Sequence, residues 1–221
     1  MSLYTEFLHH DDRHINKWTQ YFPVYERYME RFVNQSVFLL EIGVSHGGSL
    51  QLWKKYLGPR ALIVGIDVEE QIKDVEENQI HIRIGSQTDR DFLSKVLAEF
   101  GTPDIVIDDG SHVMKHVNST FEFLYPKIQR NGIYIVEDMH TAYWEGWGGG
   151  LRKQGTFIEN SKKMIDELNG KYWENEDNFI QKNTFGISFY DSMVIFERGG
   201  FPGEKKTIQS GPKKLKLKNS K

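Results

Sequence analysis

Two short segments, Asp108-Asp109-Gly110-Ser111-His112 and Glu137-Asp138, bring together four carboxylates and an imidazole, each directly after an apolar β-branched run. Crowded like charges repel unless one takes a proton or a cation joins them, and an all-oxygen set suits Mg2+, Ca2+ or Mn2+. Asp109, Glu137 and Asp138 are therefore read as metal ligands, and Asp108 as the carboxylate nearest a cofactor. A metal-bound alcohol gives up its proton more easily, and a neutral imidazole can accept it, which makes His112 the expected general base. The ordinary alternative for these residues is capping of the helices that follow. His116 is read as a surface residue and the group His9, His10 and His14 as solvated; none is assigned chemistry.

A second constellation is Glu41-Ile42-Gly43-Val44-Ser45-His46-Gly47-Gly48-Ser49, between a strand and a helix. Glycines let backbone come close to a ligand, and a helix N-terminus offers free N–H groups to an anion. The G-x-x-x-G-G spacing is neither the dinucleotide G-x-G-x-x-G nor the P-loop, so pyrophosphate is disfavoured. Asp67, 26 residues beyond Glu41 and ending the next strand, can accept both hydroxyls of a ribose. A ligand with a ribose and a carboxylate but no pyrophosphate is S-adenosylmethionine. Glu41, Gly43, Gly47, Ser49 and Asp67 are the expected contacts, with Ser86 and Gln87 near the adenine. Without a cofactor, the same glycines would only make a tight turn and Asp67 a helix cap.

Five runs must position these residues: Val37 to Ile42, Ala61 to Ile66, Ile80 to Ile84, Ile105 to Ile107 and Ile133 to Val136. Each is apolar nearly throughout, as in a parallel sheet covered on both faces. Helical stretches intervene: Leu50, Trp53 and Leu57 share a face, Thr88-x-x-Asp91 resembles a capping box opening Asp89 to Phe100, Val117 to Tyr125 precedes Pro126, and Phe157 to Leu168 stops near Asn169-Gly170. Phe185 to Tyr190 and Met193 to Glu197, separated by Asp191-Ser192, form a hairpin that closes the sheet antiparallel. The expected class is α/β, a Rossmann-like, mostly parallel seven-stranded sheet with helices on both faces.

Of 221 residues 38% are hydrophobic, enough for one full-sized core spanning 37–203. Residues 1–36 read as a helical extension rich in aromatics. Residues 204–221 hold seven Lys and one Glu, leaving the rest of the chain at -9, and this tail, without an aromatic residue, is expected to be disordered, either solvated or tethered to an anionic membrane or polyanion. A net charge of -3 argues against a nucleic-acid partner, and no apolar run nears the roughly 18 residues of a membrane span. Zero cysteines exclude a thiolate nucleophile and fit a cytoplasmic location.

Glu41 to Trp53, Asp108 to His112 and Tyr134 to Trp144, with Glu137 placed 25 positions after His112, resemble the metal-dependent class I S-adenosylmethionine O-methyltransferases acting on sugars, namely the macrocin and mycinamicin enzymes and the cephalosporin-hydroxylase-like group. The resemblance covers about residues 13–168 and implies Mg2+ at Asp109, Glu137 and Asp138 with His112 as base. It implies a small-molecule or glycan substrate bearing hydroxyls, and a homo-oligomer is expected. His140, Tyr143, Trp144 and Trp147 are the expected substrate contacts, because sugar C–H faces stack on aromatics and the glycines from Gly146 to Gly150 give their loop freedom to close. A metal-dependent hydroxylase on the same scaffold and a non-catalytic ligand-binding protein are the rival readings; iron oxygenases of the usual type need two His and one carboxylate, whereas three carboxylates stand here.

Overall fold

In a computed structural model, which describes residues 2–173, 177–200 and 210, the chain folds around one seven-stranded sheet. The expected basic tail 204–221 lies, apart from Ser210, outside the described residues. The strands are β1 (Val37–Ile42), β2 (Ala61–Asp67), β3 (Ile80–Ile84), β4 (Ile105–Asp108), β5 (Ile133–Val136), β6 (Thr184–Tyr190) and β7 (Met193–Arg198), in the order β3-β2-β1-β4-β5-β7-β6. Pairings from β3 to β5 are parallel, while β7 enters antiparallel between β5 and β6. This is the expected doubly covered sheet closed by a hairpin. The turn at Asp191-Ser192 is tight enough to put Ser192 at φ 63°.

Two apolar layers explain why the parallel strands read as continuous hydrophobic runs. On one face Leu39, Ile63, Ile105 and Ile135 pack with Trp53 and Leu57 of α3 (Gly48–Leu57) and with Tyr21, Phe22 and Tyr25 from the N-terminal region. On the other, Leu40, Val64, Val106 and Val136 meet α4 (Arg90–Phe100), α5 (Met114–Leu124) and α6 (Phe157–Leu168). The start of α4 departs from the expected capping box. Asp89 is the cap, accepting from the amides of Asp91 and Phe92, while the Thr88 hydroxyl pairs with Ser86.

The first 36 residues are not helical throughout. Two short helices, α1 (Leu3–Leu8) and α2 (Phe22–Met29), lie here, and residues 10–18 between them run as a strap across the carboxyl ends of the strands. The strap sits against the start of α3: a Cβ built on Gly48 would lie 2.4 Å from the carbonyl oxygens of both Arg13 and His14. The Arg13 guanidinium also donates to the Val75 carbonyl at 2.7 Å.

Candidate active site

In open parallel sheets the crevice lies beyond the carboxyl ends of the strands, where the order reverses. Here β1 stands between β2 and β4, and the loops after β1, β2, β4 and β5 enclose two adjoining clefts of about 350 Å³ each. They share Gly43, Asp67 and Gly110. One is polar, lined by Ser49, Asp109, His112, Asp138 and the strap residues His14 to Lys17. The other is more apolar, lined by Ile42, Ile66, Val68 and Gly85 to Gln87.

Gly43 and Gly47 both take left-handed backbone, φ 84° and 81°. At Gly43 the reason is loop against loop, since a Cβ there would come within 2.2 Å of the Asp109 carbonyl oxygen. The first loop is thus locked to the Asp109 loop. Asp67 joins the lock, accepting from the amides of Val44 at 2.9 Å and Ser45 at 3.3 Å through one oxygen and from Glu69 through the other, while still lining both clefts. Ser86 and Gln87 line the apolar cleft; the Gln87 amide also donates to Asp108 and Thr120 and accepts from the Ser111 amide, bracing the loop that carries His112.

Glu41 and Asp108 do not line these clefts. Glu41 is fully buried behind the first loop, accepting from the Ser49 hydroxyl at 3.0 Å and the Trp53 indole at 3.1 Å. Asp108 lies below the floor, taking Gln87 at 3.2 Å and the Tyr134 hydroxyl at 3.3 Å. Burial pushes both carboxyls up to about 7, against the pull of Lys17 on Glu41 and of the backbone and side-chain donors on Asp108.

The folded chain therefore binds protons at Asp108 and Glu41 that the unfolded chain releases nearer pH 4. For these groups stability is fullest below the unfolded values and falls as pH rises toward 7, by up to about 4 kcal/mol for Asp108. Urea unfolding at pH 4.5 and 7.5 should show a smaller loss across that window for Asp108→Asn than for the unmodified chain. An equal loss would refute the assignment.

Asp109, His112 and Asp138 come together: one ligand atom from each lies within 4.8 Å of the others. The His112 Nε2 is 3.9 Å from Asp109 Oδ1 and 3.7 Å from Asp138 Oδ2, beyond hydrogen-bond length. His112 and Asp138 reach this arrangement through left-handed backbone, φ 56° and 53°, strain that a β-branched residue could not accept cheaply. The Tyr21 hydroxyl donates to the other Asp138 oxygen at 2.7 Å and fixes its carboxylate plane.

Glu137, beside Asp138 in sequence, points elsewhere. It is buried, and its two oxygens accept from the Tyr25 hydroxyl at 2.6 Å and the Lys17 ammonium at 2.7 Å. Lys17 also donates to Asp109 at 2.6 Å. Burial works against its charge, but Asp109, Glu137 and Glu41 more than offset this and hold its pKa well above the ordinary lysine value. Neither Lys17 nor Tyr25 was legible as a site residue, because both act across long sequence separations, Lys17 from an extended strap without periodicity and Tyr25 from a helix whose aromatics read as packing. The exposed His14 and the half-buried His116 also line the clefts, although neither was expected there.

The expected substrate contacts form a surface beside this group. His140, Trp144 and Trp147 make a chain of rings with centroids 4.6 and 5.5 Å apart, and Trp18 adds to it at 6.2 Å from His140. His140 is oriented by a 2.6 Å hydrogen bond to the Ser192 hydroxyl. Trp18 is 55% and Trp144 50% exposed, so their faces are free for a ligand. Tyr143 is exposed in the same loop. A further cleft, lined by Asn16 to Thr19, Tyr21, Asp109, Glu137 and Asp138, connects Trp18 to the carboxylates.

Residues 40–139 match the family described as a methyltransferase domain. The chain is similar to the mycinamicin VI 2''-O-methyltransferase of Micromonospora griseorubida, 36% identical over 191 residues that cover 80% of this chain and 47% of that one. It is similar also to the demethylmacrocin O-methyltransferase of Streptomyces fradiae, 33% identical over 200 residues covering 82% and 50%. Among solved structures, the MycE methyltransferase of the mycinamycin pathway, in complex with Mg, SAH and mycinamycin VI, superposes with a TM-score of 0.81 at 32% identity, covering 91% of this chain and 56% of that one. The chain spans about half the length of the curated relatives it matches. By sequence and by fold, it is a homologue of the sugar O-methyltransferases, built on a class I methyltransferase domain.

Proposed function

We propose that this chain transfers a methyl group from S-adenosylmethionine to a hydroxyl of a sugar, in a glycan, nucleotide sugar or glycosylated natural product, with Mg2+ or Mn2+ as its ion. The observation that carries this reading is the convergence of Asp109, His112 and Asp138 in a cleft that Asp67 also lines. The pair of clefts suits the cofactor: an apolar slot for a flat base, a carboxylate at their junction for ribose hydroxyls, and a polar end with a helix N-terminus for a charged terminus. The donor set suits a hard divalent ion, which Asp109, Asp138 and Glu137 would hold. Homo-oligomerisation and a cytoplasmic location belong to the same proposal; among the described residues no helix is long and apolar enough to cross a membrane.

When bound, the cofactor supplies an electrophilic methyl on sulfur and the ion lowers the pKa of a hydroxyl it touches. The chain's own residues do the rest. Asp67, Ser86 and Gln87 would orient the adenosyl group, Ser49 would face it in the polar cleft, and Asp108 and Glu41 brace the loops from behind. Trp18, His140, Tyr143, Trp144 and Trp147 would hold the sugar and exclude water. His112 Nε2, beyond hydrogen-bond length of either neighbouring carboxylate, would take the proton of the acceptor hydroxyl as that oxygen is alkylated. The group offers one imidazole with two carboxylates, the inverse of the two-His set of iron oxygenases.

S-adenosylhomocysteine should raise the melting temperature, with a further rise on adding Mg2+. A screen with methyl-labelled S-adenosylmethionine over glycosides and nucleotide sugars should label at least one acceptor in the presence of Mg2+. A response to Fe2+ with 2-oxoglutarate instead would support the hydroxylase; no thermal response to either pair would favour the non-catalytic ligand-binding or scaffold protein and sink the proposal.

A further inference from the structure

Three carboxylates surround the Lys17 ammonium: Asp109 at 2.6 Å, Glu137 at 2.7 Å and Glu41 Oε1 at 3.9 Å. The lysine side chain is only 4% exposed, and Glu41 Oε1 is fully buried without a hydrogen-bond partner, facing the ammonium. Carboxylate oxygens gathered about one small cation, with a lone oxygen still unpaired, are the inventory a hard divalent ion would use. The occupant is a tethered ammonium, carried in by the strap.

We infer that Lys17 is a built-in competitor for the divalent ion: its ammonium holds the cation position between Asp109 and Glu137, and an ion takes both carboxylates only by displacing it. The inference rests on the metal reading above and adds a residue to it. With Lys17 seated, Asp109 Oδ1 and Asp138 face the cleft while Glu137 is engaged. Its departure frees Glu137 as third carboxylate and leaves His112 to act as base. The strap is part of the same exchange, because His14 to Lys17 line the polar cleft and Asn16 to Thr19 the neighbouring one. Ion binding therefore loosens the segment that bounds both clefts, coupling the ion to access by cofactor and acceptor.

Mn2+ binding to the full chain, read as loss of the free Mn2+ electron paramagnetic resonance signal, tests this without any turnover. Lys17→Met keeps the aliphatic volume and removes the positive charge beside the carboxylates, so it should bind Mn2+ at least about ten-fold tighter. Lys17→Arg, still cationic, should stay within about three-fold of the unmodified chain. Equal or weaker binding by Lys17→Met, in a chain that melts cooperatively and where the unmodified protein binds Mn2+, overturns the inference and leaves the metal reading standing. No Mn2+ binding by any of the three removes both. If Lys17→Met does not fold, hydrogen exchange on the unmodified chain decides: saturating Mn2+ should speed exchange of amides 14–18 about ten-fold, and unchanged or slower exchange overturns the inference.

Discussion

His112→Ala should lower kcat by at least about 100-fold while leaving S-adenosylhomocysteine affinity within about three-fold, since a positioned general base contributes on the order of 10² to 10⁴ in rate. The geometry makes such a split possible. The ring stands at the acidic end of the polar cleft, whereas the adenosyl contacts are expected around Asp67, Ser86 and Gln87 at its junction with the apolar one. The loop itself does not depend on the imidazole. It is held by the Ser111 amide donating to Gln87 at 2.8 Å and by the Thr141 hydroxyl donating to the His112 carbonyl at 3.3 Å. Alanine at φ 56° carries a cost of about 1 kcal/mol, so His112→Asn, better suited to left-handed backbone, is the control for strain. Both variants should lose turnover alike. Activity within about three-fold of the unmodified chain would strip His112 of the base role, and a loss of cofactor affinity equal to the loss in kcat would make it a loop support.

The parallel core was legible because its central strands are buried on both faces, so Val37 to Leu40, Ile105 to Ile107 and Ile133–Val136 announce themselves as apolar runs, whereas Ile80–Ile84, with His81 and Arg83 in it, is only partly buried. The Asp109 and His112 pair was legible for a related reason: a polar cluster directly after such a run stands at the sheet's carboxyl edge. Orientation was not. Glu137 and Asp138 are adjacent, yet the first turns inward to Tyr25 and Lys17 and the second, on left-handed backbone, faces the cleft. Glu41 likewise looks equivalent to Asp67 at a strand end but turns toward Trp53 in the core. Lys17 left no trace in sequence because its partners are 92 and 120 residues away, and an extended strap has no hydrophobic period to mark which side chain turns inward.

Asp109→Ala should cost at least about ten-fold in Mn2+ affinity and about 100-fold in kcat, and the remaining activity should no longer rise with Mg2+. Asp109 links the ammonium to the cleft: Oδ2 accepts from Lys17 at 2.6 Å, and Oδ1 lies with His112 and Asp138 at the cleft. Its removal does not strand a buried charge, because Lys17 keeps Glu137 at 2.7 Å, and it relieves the repulsion by which Asp109 helps to raise the Glu137 carboxyl. The fold should consequently tolerate the change, with a cooperative melt and S-adenosylhomocysteine binding within about three-fold. Set beside His112→Ala, the variant separates two roles that the geometry alone allows to overlap, since Nε2 of His112 is close enough to both carboxylates to join them around an ion. A base can be removed without loosening the ion; a ligand cannot. If His112→Ala sheds Mn2+ as completely as Asp109→Ala does, the imidazole is a ligand, and the proton from the acceptor hydroxyl must go to another group in the cleft.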